Sequence, residues 1–212
     1  MRGSGFALLL SAMTASLSAQ GTGQLPRLTQ AQVGPVSWNV QSGGIAACDV
    51  TIAESGAVAG VDLVQDVPPY GAQLREAIRS WGFEPARQDG RAVGARVLVL
   101  GFFHPPTMHI PTPENPRYKG TKAPDEIPWP THVTVPPYPP NVLVAESGKV
   151  IVEADISDQG AVVSARVLNP GSPFDSGVLD ALRKWTFRPA VHAGRSVASR
   201  AFFVFSFPTA TL

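Results

Sequence analysis

The side chains that could bind a metal ion lie in a proline-rich stretch near the middle of the chain. His104 and His109 are five residues apart with Met108 between them, and imidazole and thioether groups are ligands for zinc and copper. A metal centre also needs further ligands at a fixed geometry. We therefore favour solvent-exposed loop histidines, with a metal site as the alternative, and we predict no cofactor.

Three acidic residues, Glu153, Asp155 and Asp158, lie close together and could suggest a cation site. Their spacing lacks the ligand series of a calcium-binding loop. Asp158 begins an Asp-Gln-Gly turn signal, so turn chemistry explains this cluster without a metal.

Arginines at equivalent positions of a repeat could bind a carboxylate: Arg79 and Arg183 in a helix, and Arg91 and Arg195 in a turn. Solvated helix and turn positions are the simpler interpretation. Serine, histidine and aspartate are all present, but no motif places them as a triad, which is recognised by its geometry. The sequence therefore predicts no enzyme, and no small-molecule substrate is evident.

The charge of the chain and its N-terminus indicate an exported protein. The net charge is +1, so the chain lacks the basic field of nucleic-acid binders and we expect no nucleic-acid partner. Residues 1–19 resemble a signal peptide, because Arg2 precedes an apolar stretch, Phe6 to Leu17, that is too short to span a bilayer. We predict cleavage after Ser18 or Ala19 and a periplasmic or secreted protein. The alternative is an uncleaved inner-membrane anchor.

Cys48 is the only cysteine, so no intrachain disulfide can form. We interpret it as a small buried apolar side chain, with a reactive or dimer-linking thiol as the alternative.

An internal repeat organises the rest of the chain. Residues 44–103 align without a gap with residues 148–207, and about 17 of the 60 positions are identical. Each copy contains the motif Trp-x-Phe-x-Pro-Ala, then a Gly-Arg turn and a long apolar strand. A repeat of this length indicates two units of the same fold.

Each unit begins with a predicted hairpin. Its first strand alternates apolar and polar side chains, which is typical of a half-buried strand. Gly56 and Gly160 follow in turns where φ is expected to be positive. The second strand falls one residue out of phase, which predicts a β-bulge near Gly60 and Ser164.

A helix follows the hairpin in each unit. Apolar side chains occupy positions i, i+3, i+4 and i+7, in one copy Leu74, Ala77, Ile78 and Trp81, in the other Val178, Ala181, Leu182 and Trp185. Asp175 is the expected N-cap of the second helix. We predict that four aromatic residues belong to the core: Trp81, Phe83, Trp185 and Phe187.

The last strand of each unit is apolar on both faces, although the open face of an antiparallel sheet should be polar. We expect the outward face to be covered by the other unit, the linker, a second copy or a partner. An unpaired edge strand is also a template for a partner's strand. We therefore predict a partner-binding edge formed by six outward residues: Arg96, Leu98, Leu100, Arg200, Phe202 and Val204.

The segment between the units, residues 104–136, is rich in proline, which favours an extended, semi-rigid spacer. The alternative is a strap that lies on a sheet or is offered to a partner.

The second unit resembles the C-terminal domain of TonB, the periplasmic energy transducer of Gram-negative bacteria. The motifs that carry this resemblance are Tyr138-Pro139, the strand Gly148 to Val152, the turn Asp158 to Val162, Leu179-Asp180-x-Leu182, Arg183-Lys184-Trp185-x-Phe187-x-Pro189-Ala190 and Gly194-Arg195-x-Val197. The resemblance covers residues 137–207 well and 44–103 more weakly. It implies a three-stranded antiparallel sheet with helices on one face, and a partner segment that pairs with the sheet edge.

We thus expect an α+β protein with a signal peptide at 1–19, a first TonB-C-like domain at 33–103, a linker at 104–136 and a second such domain at 137–208. The predicted function is non-catalytic binding of an outer-membrane or periplasmic protein, or self-association, by edge pairing. The alternative is a membrane-anchored, TonB-type transducer that serves outer-membrane transport.

Overall fold

A computed structural model of the chain describes residues 23–32, 43–104, 124–137 and 148–208. The predicted signal peptide, Tyr138-Pro139, His109 and much of the predicted linker lie outside the described residues. The described chain mixes two helices with many strands, which agrees with the predicted α+β class.

The two units contain the same elements in the same order. The first comprises β1 (Arg27–Gln30), β2 (Gly44–Ile52), β3 (Val58–Gln65), α1 (Tyr70–Ile78), β4 (Gly82–Glu84), β5 (Ala86–Gln88), β6 (Arg91–Val93) and β7 (Ala95–Phe103). The second comprises β8 (Trp129–His132), β9 (Gly148–Ile156), β10 (Val162–Val167), α2 (Asp175–Leu182), β11 (Thr186–Arg188), β12 (Ala190–His192), β13 (Arg195–Val197) and β14 (Ser199–Phe207).

Hairpin geometry follows the sequence signals. Gly56 and Gly160 have φ of 85° and 82°, and a Cβ at either position would collide with the backbone carbonyl oxygen of Phe83 or Phe187. Only glycine therefore fits these turns. The pairing register also shifts between Gly60 and Val58 and between Ser164 and Val162, which confirms the predicted bulges.

The two helices bury the predicted apolar stripe, and each tryptophan closes one end of it. Trp81 Nε1 donates a hydrogen bond to the carbonyl of Gln32 at 3.0 Å, and Trp185 Nε1 donates to that of Thr134 at 2.8 Å. The prediction that Asp175 is an N-cap is wrong. It is the first residue of α2, and its Oδ2 accepts hydrogen bonds from the backbone N–H groups in the loop before the helix.

The long strands of both units form one six-stranded sheet with the order β10-β9-β14-β7-β2-β3. The prediction of two separate three-stranded sheets is therefore corrected. Each unit contributes three antiparallel strands, but β14 and β7 pair with each other in parallel along Ala201–Ser206 and Leu98–Phe103.

Each helix covers a different face of this sheet. Alternate residues of β7 divide between the cores, because Val97 and Val99 pack with α1 whereas Leu98 and Leu100 pack in the core that contains α2. Neighbouring side chains on a strand point to opposite faces. The apolar outward face that the sequence left uncovered is thus buried by the other unit.

Segments outside the predicted domain boundaries are also part of the fold. Strand β1 pairs with β4, and β8 pairs with β11, so each unit begins with an extended strap that precedes its hairpin. Ile127 and Trp129, predicted to lie in a spacer, are 0% and 7% exposed and belong to the core around α2. Within the predicted linker, residues 124–136 form a strap that lies on the sheet.

We expect truncation of Phe202 to destabilise the whole fold, because this side chain is fully buried beside the α1 core. Phe202→Ala should lower the free energy of unfolding by about 3–5 kcal/mol in urea titrations, since it leaves a cavity in the sheet centre. Val163→Ala is the control, because Val163 is 66% exposed and its truncation should change stability by no more than about 0.5 kcal/mol. If both substitutions changed the free energy of unfolding by the same small amount, Phe202 could not be buried where β7 and β14 pair.

Candidate interaction surface

The six predicted partner-binding residues lie in the interior of the sheet. Leu98, Leu100, Phe202 and Val204 are each 0% exposed, and both strands that carry them have a neighbour on either side. The predicted free edge at the last strands is therefore wrong for this structure. The physical reason is that each last strand takes the other as its edge partner, so their apolar outward faces are buried within the chain.

The four aromatic residues predicted as core lie there, with Trp81, Phe83, Trp185 and Phe187 no more than 6% exposed. Their packing also joins the units. Phe83 contacts Phe202 of the other unit edge to face, with ring centroids 5.4 Å apart. Edge-to-face pairs of this kind are favoured by the ring quadrupole.

The remaining two predicted binding residues, Arg96 and Arg200, are held by carboxylates. Arg96 binds both carboxylate oxygens of the buried Asp49, and its Nη1 lies 3.0 Å from Glu126 Oε2. Burial raises the pKa of Asp49, against the lowering effect of the hydrogen bonds from Arg96.

Arg200 takes the equivalent position in the second unit but divides its contacts. Its Nε donates to Asp155 Oδ1 at 2.8 Å, and its Nη1 lies 3.5 Å from Glu153 Oε1. Burial alone would raise the pKa of Asp155, but hydrogen bonds from Arg200 and Ser164 outweigh it and hold this pKa below its usual value. Neither arginine has its guanidinium free to capture a partner's carboxylate.

The straps cross between the units at these arginines. Glu126 belongs to the strap of the second unit and pairs with Arg96 of the first, while the carbonyl of Pro26 in the first strap accepts a hydrogen bond from Arg200 at 3.1 Å. Gln24 pairs through its backbone with Arg87, and the Asp125 carbonyl accepts from the Val191 N–H at 2.7 Å. Each strap therefore ties one unit to the other.

A sequence signal for the straps exists but is easily missed. Leu-Pro-Arg-Leu-Thr at 25–29 corresponds to Ile-Pro-Trp-Pro-Thr at 127–131, which is an offset of 102 residues. The rest of the repeat has an offset of 104, so a gap-free alignment does not extend into the straps.

A cleft of about 60 Å³ lies where the short hairpins of the two units meet, beside Arg96, Glu126 and Arg200. Pockets for drug-sized ligands are usually about 300–1,000 Å³. This cleft is therefore too small to bind an organic substrate of ordinary size.

The sequence candidates for metal or thiol chemistry are placed as follows. The half-buried His104 stacks on Phe207 with ring centroids 5.8 Å apart, while His109 lies outside the described residues. Within the described ranges, no group of three His, Cys, Asp or Glu side chains could hold a metal ion. Cys48 is fully buried, and burial raises its pKa to about 12, so its thiol stays protonated.

The helix arginines are in exposed local ion pairs. Arg79 pairs with Glu76 at 3.2 Å and Arg183 with Asp180 at 2.7 Å, each three residues apart on one helix. Exposed pairs of this kind contribute little to stability and do not form a binding site.

Two of the six long strands have an unpaired side among the described residues. These are β3 and β10, the outermost strands of the six-stranded sheet. They present the open backbone groups that edge pairing needs, and they lie at opposite ends of the sheet.

The second unit is the part of the chain that matches a known protein family. The family model for the Gram-negative bacterial TonB protein C-terminal matches residues 135–207. Residues 135–207 of this chain are thus similar to the TonB C-terminal family. The solution NMR structure of the Pseudomonas aeruginosa TonB CTD is 31% identical to this chain, covers 40% of it and 89% of the solved chain, and has a TM-score of 0.35. A search of the curated proteins found no match.

The family match begins in the second strap and ends with β14. It includes the predicted motifs from Gly148 to Val197, whereas the first unit is outside the matched residues. That the first unit is a TonB-C-like copy stays a prediction, supported by its identical element order.

We expect Asp155→Asn to destabilise the second unit in a pH-dependent way. The folded-state pKa of Asp155 is depressed, so its ionised form contributes stability above its unfolded pKa of about 3.9, and this contribution is lost as the pH falls through the folded value. The free energy of unfolding of the variant should be about 1–2 kcal/mol lower at pH 7. The reason is that Arg200 and Ser164 then donate to a neutral amide oxygen in place of an ionised carboxylate.

The measurement is urea unfolding of both proteins at several pH values. The difference in the free energy of unfolding between wild type and variant should become smaller below about pH 4. Asp158→Asn, in the exposed turn, is the control and should show no such difference. A difference in the free energy of unfolding that is the same at pH 7 and pH 3 would contradict the stabilising role of the ionised Asp155.

Proposed function

We propose that this chain is a non-catalytic protein-interaction module that works in the periplasm and binds an extended segment of its partner along an outer edge of its sheet. The family match supports a protein partner, because the TonB C-terminal domain is a protein-interaction domain of the periplasm. The first unit is, in this proposal, a diverged copy of the same domain.

The observation that carries the edge mechanism is the distribution of open backbone. Four of the six long strands are paired on both sides, and β3 and β10 are the two with an open side among the described residues. The same part of the chain exposes one large apolar side chain, Val163, and it lies on β10. An apolar docking face on the sheet is thus absent from the described residues, whereas a sheet edge is present.

The proposal is tested by photo-crosslinking in cells. A benzophenone side chain in place of Val163 or Ala59, on the two outer strands, should give a discrete crosslinked protein. The same group at the exposed Asp89, in the tip of the β5–β6 hairpin, is the control and should give none. Crosslinking that is equal at all three sites, or absent from both edges, would count against edge recognition.

A membrane-anchored transducer is the competing function, and the family match is what supports it. No helix within the described ranges is long and apolar enough to span a membrane, and residues 1–22 lie outside those ranges. We predict that N-terminal sequencing of the exported protein gives a mature start at Ala19 or Gln20. A retained Met1 or Arg2 in the membrane fraction would favour the transducer instead.

A further inference from the structure

We infer that β10, and not β3, is the binding edge, and that its ligand is an extended segment of another protein in which apolar residues alternate with acidic ones. This inference rests on the proposed function, since it names the edge and the chemistry of the partner for the same site.

The two outer strands differ first in regularity. The pairing of β3 with β2 shifts register twice, once near Val64 and once near Ala59. In β10 the one shift is at Val163, and Ser164 to Val167 then pair with β9 without interruption. Bulges twist and blunt an edge against pairing. The run paired without a shift is four residues long in both strands, Gly60–Leu63 and Ser164–Val167, but β10 has one irregularity where β3 has two.

The regular part of β10 directs its open backbone groups outward. The N–H of Leu168 donates to the carbonyl of Ile151 at 2.8 Å, so this residue faces β9. Because hydrogen-bonding direction alternates along an antiparallel strand, Arg166 and Ser164 also face β9. Ala165 and Val167 then direct their N–H and C=O groups away from the sheet, where an added strand would pair.

The α2 side of this edge is apolar. Ala165 and Val167 are half-buried against the core that contains α2, as is Leu179 of the helix. Val163, 66% exposed, lies at the start of the same edge. A strand added here could place alternate apolar side chains beside this row, and its remaining side chains would project to the opposite face.

On that opposite face the charge is positive. Arg166 is 61% exposed at its side chain and lies 3.2 Å from Glu153 Oε1. Three arginines interact here with two carboxylates. The arginines are Arg27, Arg166 and Arg200, and the carboxylates are those of Glu153 and Asp155. An acidic side chain in the added strand would balance the remaining positive charge.

The equivalent face beside β3 has the opposite charge. Asp62 takes the position of Arg166, and it raises the pKa of the neighbouring Asp49. The single arginine of this group, Arg96, is outnumbered by three acidic residues, Asp49, Asp62 and Glu126. An acidic segment would therefore be repelled by β3 and attracted by β10, which gives the two edges different specificities.

The test uses the mature chain and a random decapeptide library displayed on phage. Peptides enriched on the wild-type protein are synthesised, and their affinities are measured by fluorescence anisotropy. We expect the enriched peptides to alternate apolar and acidic residues. Their binding should weaken as the salt concentration rises, because the charged contact at Arg166 is exposed.

Two matched proline variants assign the edge. Ala165→Pro removes an outward N–H and should weaken peptide binding about tenfold or more, while β9 keeps its partner because the lost donor faces solvent. Val61→Pro is the equivalent change in β3, where Val61 pairs with Val50 as Ala165 pairs with Ala154. It should alter binding by less than about twofold.

Two charge variants keep the test decisive if either proline disturbs folding. Arg166→Gln should weaken binding of the acidic peptides severalfold, whereas Asp62→Asn should leave it unchanged. If Val61→Pro abolishes peptide binding, or if Asp62→Asn is the one variant that strengthens it, the choice of β10 is overturned. Edge pairing itself would still stand.

Peptides that bind all four variants like wild type, or failure to enrich any peptide, would overturn both this inference and the proposed function. Self-association of the wild-type chain in gel filtration that is lost in Ala165→Pro would identify a second copy as the occupant and overturn the acidic partner. Enriched peptides that are basic would overturn the charge argument.

Discussion

The parallel pairing of β7 with β14 is the interaction on which the rest of this structure depends. Each of these strands is apolar on both faces, so neither unit could leave its last strand at an edge without exposing Leu98 and Leu100 or Phe202 and Val204. Burying an aliphatic or aromatic side chain of this size is worth roughly 1.5–3 kcal/mol. The shared sheet satisfies the backbone and both faces of the two strands at once.

Parallel pairing of equivalent strands also determines where everything else lies. It places α1 and α2 on opposite faces, and it leaves the hairpin strands β3 and β10 at the ends of the sheet. The straps then cover the sheet and cross to the other unit, where Glu126 meets Arg96 and the Pro26 carbonyl meets Arg200. The inner four strands are paired on both sides, so edge pairing with a partner, as proposed above, is open only to the outermost two of the six.

Sequence reasoning was sufficient for the long strands and the helix of each unit, but it did not predict the straps or the short strands β4–β6 and β11–β13. Period-two alternation, a helical stripe and fixed glycines are local signals, and they predicted the hairpins, the bulges at Gly60 and Ser164, and burial of the helix stripe with its tryptophans. The helix start at Asp175 was misjudged, because its carboxylate stabilises the preceding loop and does not cap the helix.

The relation between the units could not be obtained in the same way. A strand that is apolar on both faces shows that something covers it, but that pattern is identical for a second unit, a second chain or a partner. Residues 124–137 were equally ambiguous, since their proline content is typical of a spacer while Ile127 and Trp129 belong to a core. The predicted binding edge was therefore placed on the two strands that the fold uses to join its halves.

Joining two units in one polypeptide makes their association independent of protein concentration. His104 ends the described first unit and Pro124 opens the second strap, and the two units belong to the same polypeptide. Covalent connection makes the association of the two units an intramolecular event. Dilution therefore cannot separate the two units, and the units differ in charge at equivalent positions, as Asp62 and Arg166 show.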